Sequence, residues 1–113
     1  MKSETTTRPW GSFTQFTHNT PSTVKIITVS PGEELSLQFH TKREEFWRIL
    51  SGAPVITIGE TKTTGTAGQE FFIGKEVPHR IAGGETGTEI LEISLGDFDE
   101  NDITRLEDRY GRV

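Results

Sequence analysis

The chain has 113 residues, room for one domain, and its strict apolar content of 31% rises to about 42% with the 12 glycines, enough for one thin core. Twelve basic against seventeen acidic residues give a net charge of −5, which repels nucleic acid and anionic membranes and leaves only a local basic pocket for a small anion. With no cysteine there is no disulfide scaffold, zinc finger or thiol nucleophile. The apolar runs are too short for a membrane span or a secretory leader, so the cytoplasm is the expected compartment.

In chain order, residues 1–23 read as an N-terminal arm or edge strand. Residues 1–7, with Thr5-Thr6-Thr7, are expected to be mobile, while Trp10, Phe13 and Phe16 pack outside the main body. Short β-rich runs then follow one another: Val24–Val29, Leu35–His40, Phe46–Ser51, Val55–Ile58, Glu70–Ile73, His79–Ala82 and Glu89–Leu95. Between them stand Ser30-Pro31-Gly32, Gly52-Ala53-Pro54, Gly59, Gly65, Gly68, Gly74 and Gly83-Gly84. The threonine-rich stretch Thr61–Thr66 reads as an exposed hairpin. In the tail, 96–113, Asn101 or Asp102 is placed to cap a short helix or turn over Ile103–Asp108, with Gly111 beyond it. The pattern predicts an all-β jelly-roll barrel over 24–95 within a single domain, 1–113.

Gln38 and His40 lie two apart on one predicted strand, so their side chains share a face. A turn over Thr41–Glu44 reverses the chain and Glu45 opens the next strand, beside that pair. His79 opens a later strand that a curled sheet could bring opposite. Two imidazoles, a carboxylate and an amide oxygen suit one borderline divalent ion, zinc first, with manganese, iron or nickel as alternatives, better than calcium.

Residues 32–52 run Gly32-x5-Gln38-x-His40-x4-Glu45-x6-Gly52, which resembles the first cupin motif with Gln in place of the usual first His. Residues 68–83 run Gly68-x5-Gly74-x4-His79-x3-Gly83, which resembles the second. A narrower resemblance covers Arg8 to Arg112. Arg8-Pro9-Trp10-Gly11-Ser12-Phe13, the run Pro31 to His40, and Glu107-Asp108-Arg109-Tyr110-Gly111-Arg112 are similar to the cupin of type II mannose-6-phosphate isomerases. That resemblance implies a double-stranded β-helix and a metal-dependent aldose–ketose isomerisation of mannose 6-phosphate to fructose 6-phosphate, in polysaccharide precursor metabolism. The family's cupin often follows a sugar-nucleotidyltransferase domain, which these 113 residues do not contain, so guanylyl transfer is not expected of them. The family's further histidines are replaced by Thr41, Lys42 and Phe46.

Such a reaction moves a proton between two carbons through an enediolate. It needs a cation to polarise the carbonyl, a base, and a cationic pocket for the phosphate. The metal falls to Gln38, His40, Glu45 and His79. For the base, the turn offers Lys42 and Glu44, with a metal-bound hydroxide as the alternative. For the phosphate, Arg109 comes first, which could instead pair with Glu107 or Asp108, followed by Arg8 and Lys25. Strand parity points Arg48 and Arg80 outward, while Trp47 shares the face of Glu45 as pocket wall or core. The expected assembly is a homodimer with a small-molecule sugar phosphate as substrate. Two rival classes are a non-catalytic sugar or sugar-phosphate binding cupin and a different metal-cupin enzyme such as a dioxygenase.

Overall fold

The computed structural model describes residues 2–113, and its described residues form strands and turns without a helix. The strands are β1 (Glu4–Arg8), β2 (Gly11–Gln15), β3 (Ser22–Val29), β4 (Leu37–Phe39), β5 (Arg43–Gly52), β6 (Val55–Ile58), β7 (Thr61–Thr64), β8 (Glu70–Ile73), β9 (His79–Ala82), β10 (Thr88–Gly96) and β11 (Thr104–Glu107). All pairings are antiparallel. One sheet has the order β3-β10-β5-β8, a second β11-β4-β9-β6-β7, and β1 and β2 form a separate hairpin.

The two larger sheets lie face to face as a jelly roll. Alternation puts Trp47 and Ile49 of β5, Ile90 of β10 and Val29 of β3 against Ile56 of β6 and Ile81 of β9, with Ile73 of β8 completing the cluster. Burying each such side chain contributes about 1.5–3 kcal/mol, so this cluster is the fold's main source of stability. Sharp turns close the strands. At Gly52 φ is +86°, and a Cβ there would stand 2.1 Å from the Gly87 carbonyl oxygen, so only glycine fits.

Three expectations need correction. The Ile103–Asp108 helix is instead strand β11, paired with β4 through Thr104↔Phe39, Arg105↔Gln38 and Glu107↔Leu37. Six residues give too few internal hydrogen bonds to sustain a helix, whereas the open edge of β4 offers ready partners. The sheets therefore reach beyond residue 95. In the N-terminal arm, Thr5 to Thr7 lie in β1, paired with Thr14, Phe13 and Ser12, and the Thr5 and Thr14 hydroxyls meet at 3.0 Å. These β-branched residues favour a paired strand over free chain. Residue 1 of that arm lies outside the described residues. Finally, the turn after His40 is shorter than expected, because β5 already begins at Arg43.

Candidate metal centre

The site bridges the two sheets. Gln38 of β4 pairs directly with His79 of β9, and Ile58 of β6 flanks His79 on its other side. Glu45 comes from β5 in the opposite sheet, between Ser94 and Ile73. His40 sits just beyond β4. Ligand atoms of His40, Glu45 and His79 lie within 4.8 Å of one another, and all three residues are buried.

His40 Nδ1 lies 2.6 Å from the Asp102 carbonyl oxygen, and His79 Nδ1 lies 2.9 Å from the Val77 carbonyl oxygen. A carbonyl only accepts, so each Nδ1 donates its proton to the backbone and each ring turns Nε2 toward the interior of the site. Both Nε2 atoms face the same carboxylate oxygen, Glu45 Oε1, at 2.9 and 3.2 Å. Glu45 Oε1 and His79 Nε2 are nonetheless left without a hydrogen-bond partner. Two imidazole nitrogens and a carboxylate oxygen thus crowd one buried point, and a cation among them would satisfy all three. The donor set therefore fits a divalent metal.

Burial pushes the Glu45 carboxyl upward, but the short contacts to His40 and His79 outweigh it and hold the group well below the usual carboxylate range. Gln38 stands beside this point. Its amide nitrogen is 3.4 Å from His40 Nε2, and its Oε1 accepts from the Ser36 hydroxyl at 2.6 Å. Half a turn of the amide would present the oxygen inward and let the nitrogen donate to Ser36.

A cavity of about 300 Å³ opens over the site, with Lys25, Gln38, His40, Arg43, Glu45 and Glu92 among its walls. Trp47 also lines it while belonging to the core, and its ring meets His79 edge-on at 5.4 Å. Two of the lining groups were not expected from sequence. Glu92 faces the cavity from β10, opposite Trp47, whose indole donates to it at 3.0 Å. Burial first, then the neighbouring Glu45 carboxylate, pushes the Glu92 carboxyl up to about 8. Arg43 is buried and shares the inward parity of Glu45. Alternation along β3 and β10 was the signal that could have found Glu92, since it lies between the buried Ile90 and Ser94.

The other expected residues lie elsewhere. Lys42 Nζ pairs with Asp99 at 3.3 Å on the surface. Glu44 has the opposite parity to Glu45, beside Leu95, and neither Lys42 nor Glu44 lines the cavity. Phe46 also points away and packs on Phe16 at 5.5 Å, so a histidine there would not reach the cavity. Thr41 and Lys42 give their backbone N–H groups to the Asp102 carboxylate at 2.9 and 2.8 Å, and the Thr41 bond above all holds its pKa down at about 2 against the opposing effect of burial. Asp102 thus caps the β4–β5 turn instead of a helix, and its carbonyl orients His40.

Arg109 lies in a separate cleft with Gly32, Glu33, Glu34 and Gly84, where it donates to the Gly32 carbonyl and pairs with Glu33 and Glu34. Arg8 sits on the β1–β2 hairpin over Phe13. Of the expected phosphate contacts, only Lys25 reaches the cavity. Arg48 pairs with Glu70 at 2.7 Å and Arg80 donates to the Leu35 carbonyl at 2.9 Å, both away from the cavity.

A jelly roll that gathers two histidines and a carboxylate between its sheets is a cupin-type fold, and solved cupins share it. The RmlC-like cupin from Shewanella frigidimarina superposes with a TM-score of 0.64 at 16% identity, covering 80% of this chain and 76% of that one. Oxalate decarboxylase from Bacillus subtilis gives 0.65 at 24% identity, over 77% of this chain and 24% of that one. More specifically, residues 1–108 match the family described as "Mannose-6-phosphate isomerase C-terminal", and the chain belongs to it. Alginate biosynthesis protein AlgA of Pseudomonas aeruginosa is 41% identical over 108 residues, 94% of this chain and 22% of the relative. Mannose-1-phosphate guanylyltransferase ManC of Salmonella typhimurium is 38% identical over 109 residues, again 94% and 22%. The chain thus spans less than a quarter of the length of these curated relatives.

Proposed function

We propose that the chain is a metal-dependent sugar-phosphate isomerase domain that interconverts mannose 6-phosphate and fructose 6-phosphate for polysaccharide precursor supply. The observation that carries this reading is the convergence of His40, Glu45 and His79 beneath a cavity of about 300 Å³, in a member of the mannose-6-phosphate isomerase C-terminal family. Gln38, His40, Glu45 and His79 would hold one divalent ion, zinc first, with manganese, iron or nickel as alternatives. When bound, such an ion polarises a carbonyl and steadies the oxyanion of an enediolate.

The chain's own residues supply the remainder. The Asp102 and Val77 carbonyls accept from Nδ1 of the two imidazoles and so hold each Nε2 toward Glu45. Trp47 and Leu35 wall the cavity and restrict water. Glu92, a carboxyl on that wall with no metal point of its own, is better placed by position than Lys42 or Glu44 to move a proton between neighbouring carbons. Lys25 stands where a substrate phosphate could be met.

Binding without turnover is the second reading, favoured by Lys42 and Glu44 lying outside the cavity wall. The assembly we assign is a homodimer. It is supported by the projecting β1–β2 hairpin with Trp10 73% exposed, and by the open β3 edge, where Val24 and Ile26 are 59% and 60% exposed. Among the described residues no helix is long and apolar enough to cross a membrane, and the site of action we assign is the cytoplasm, where sugar-phosphate substrates are found.

The test is an isomerase assay of the metal-loaded chain. Formation of fructose 6-phosphate from mannose 6-phosphate supports the proposal. Full metal loading with thermal stabilisation by the sugar phosphate, but no product, would replace it with the binding reading.

A further inference from the structure

Arg43 is a buried cation without a counter-charge. It is 7% exposed, its Nη1 donates to the Asp99 carbonyl at 3.2 Å, and its Nη2 meets His40 Nε2 at 3.3 Å. Its Nε is buried with no partner. Among the described residues, ion pairs engage Lys42, Arg48, Arg80, Arg109 and Arg112, but neither Arg43 nor Lys25. Arg112, also at the cavity, is held by Asp108 at 2.8 and 2.9 Å.

Arg43 and Lys25 meet at one ring. The Arg43 guanidinium carbon lies 4.5 Å and Lys25 Nζ 4.3 Å from the centre of Phe98. Two cations of like sign on one aromatic repel each other, and the ring alone offsets little of that. No carboxyl on the same wall closes an ion pair with them: Glu45 is turned to the two imidazoles, Glu92, opposite Lys25 in the β3–β10 register, accepts from Trp47, and Glu100 is exposed. A metal held by His40 Nε2 would also take the lone pair that Arg43 Nη2 now uses. Arg43 would then lack acceptors on two of its three nitrogens beside a second positive charge.

We propose that Arg43 and Lys25, seated on Phe98, form an oxyanion subsite that takes the phosphate group of a substrate lying in the metal cavity. This rests on the metal-site reading and deepens the isomerase proposal by naming the groups that select a phosphorylated sugar over a free one. Arg43 supplies a planar fork of N–H donors from inside the cavity, and Lys25 supplies a point charge at its rim.

The experiment is calorimetric titration of the metal-loaded chain with inorganic phosphate, mannose 6-phosphate and unphosphorylated mannose, repeated for Lys25→Ala and Arg43→Lys, with metal content measured in each. The expected result is binding of phosphate and mannose 6-phosphate well above mannose, and a loss of at least about tenfold in phosphate affinity in each variant at unchanged metal content. Because Arg43 touches His40, Arg43→Lys could lose metal. In that case Lys25→Ala decides alone, since Lys25 is exposed. Unchanged phosphate affinity in a variant that keeps its metal, or no phosphate binding by the loaded wild-type chain, overturns the subsite. The two proposals separate cleanly: phosphate binding lost in the variants without any isomerase turnover keeps the subsite and removes the reaction, whereas turnover with unchanged KM does the reverse.

Discussion

The two ends of β9 carry similar side chains in opposite states. At the Ala82 end, Arg109 pairs with both Glu33 and Glu34, and Tyr110 donates to Glu33, so each charged group there has a partner. At the His79 end, Glu45 Oε1, His79 Nε2 and Arg43 Nε are buried and unpartnered. Exposed pairs of the first kind contribute little, about 0–1 kcal/mol each. Buried polar atoms without partners cost about 1–3 kcal/mol each, so the second arrangement persists only if something binds there. Charge alone does not mark a site; buried polar atoms left without partners do.

Metal addition should separate the two ends most sharply. A divalent ion at a hundredfold excess over its dissociation constant should stabilise the chain by about 2.7 kcal/mol, raising Tm by several degrees in a thermal melt. Arg109→Ala should keep that rise and lose no more than about 1 kcal/mol of stability. His40→Ala should abolish it. If Arg109→Ala also abolished it, the comparison would fail.

Next in size is a pH effect confined to the His79 end. Glu92 has a native pKa raised from 4.5 to about 8 by burial and by Glu45. Between those values the folded chain binds a proton that the unfolded chain has released, so this group's contribution falls as pH rises through that window. In metal-stripped protein, Glu92→Gln should flatten the decline in denaturant midpoint between about pH 5 and 8, by a few kcal/mol at most. An unchanged slope would show that Glu92 does not titrate there.

A smaller effect is expected one layer out. Asp102→Ala removes the carboxylate that ties down the β4–β5 turn, while leaving the carbonyl that orients His40. Metal affinity measured by competition with a chelating dye should fall by about tenfold, the lower end for an outer partner of a ligand. The smallest change concerns assembly. Ile26→Glu on the open β3 edge should shift the oligomer toward monomer in sedimentation, with little change in metal content, whereas an unchanged mass would remove β3 from the interface.

What the sequence made legible follows the same divide. Val55–Ile58, Glu70–Ile73 and His79–Ala82 form strands over the expected residues, because each is a short run closed by glycine or proline. The pairing of Gln38, His40, Glu45 and His79 was legible because motif spacing and strand parity pointed the same way. Arg43 was hidden because the expected turn ran two residues too far: placed in a loop, it has no parity, and placed in β5 it faces inward with Glu45. Glu92 was hidden because a carboxylate in mid-strand reads as a solvent face unless the register of both neighbours is known. Ile103–Asp108 was ambiguous because a short segment forms helix or strand according to what lies beside it, and the β4 edge is a tertiary fact.

Everything turns on the point between the imidazoles of His40 and His79 and the carboxylate of Glu45, and metal-edge X-ray absorption on the zinc-loaded chain examines it directly. The account predicts a first shell with two imidazole nitrogens at about 2.0–2.1 Å together with oxygen donors, and loss of one imidazole in His79→Ala. A shell of oxygen alone, or a spectrum that His79→Ala leaves unchanged, would contradict it.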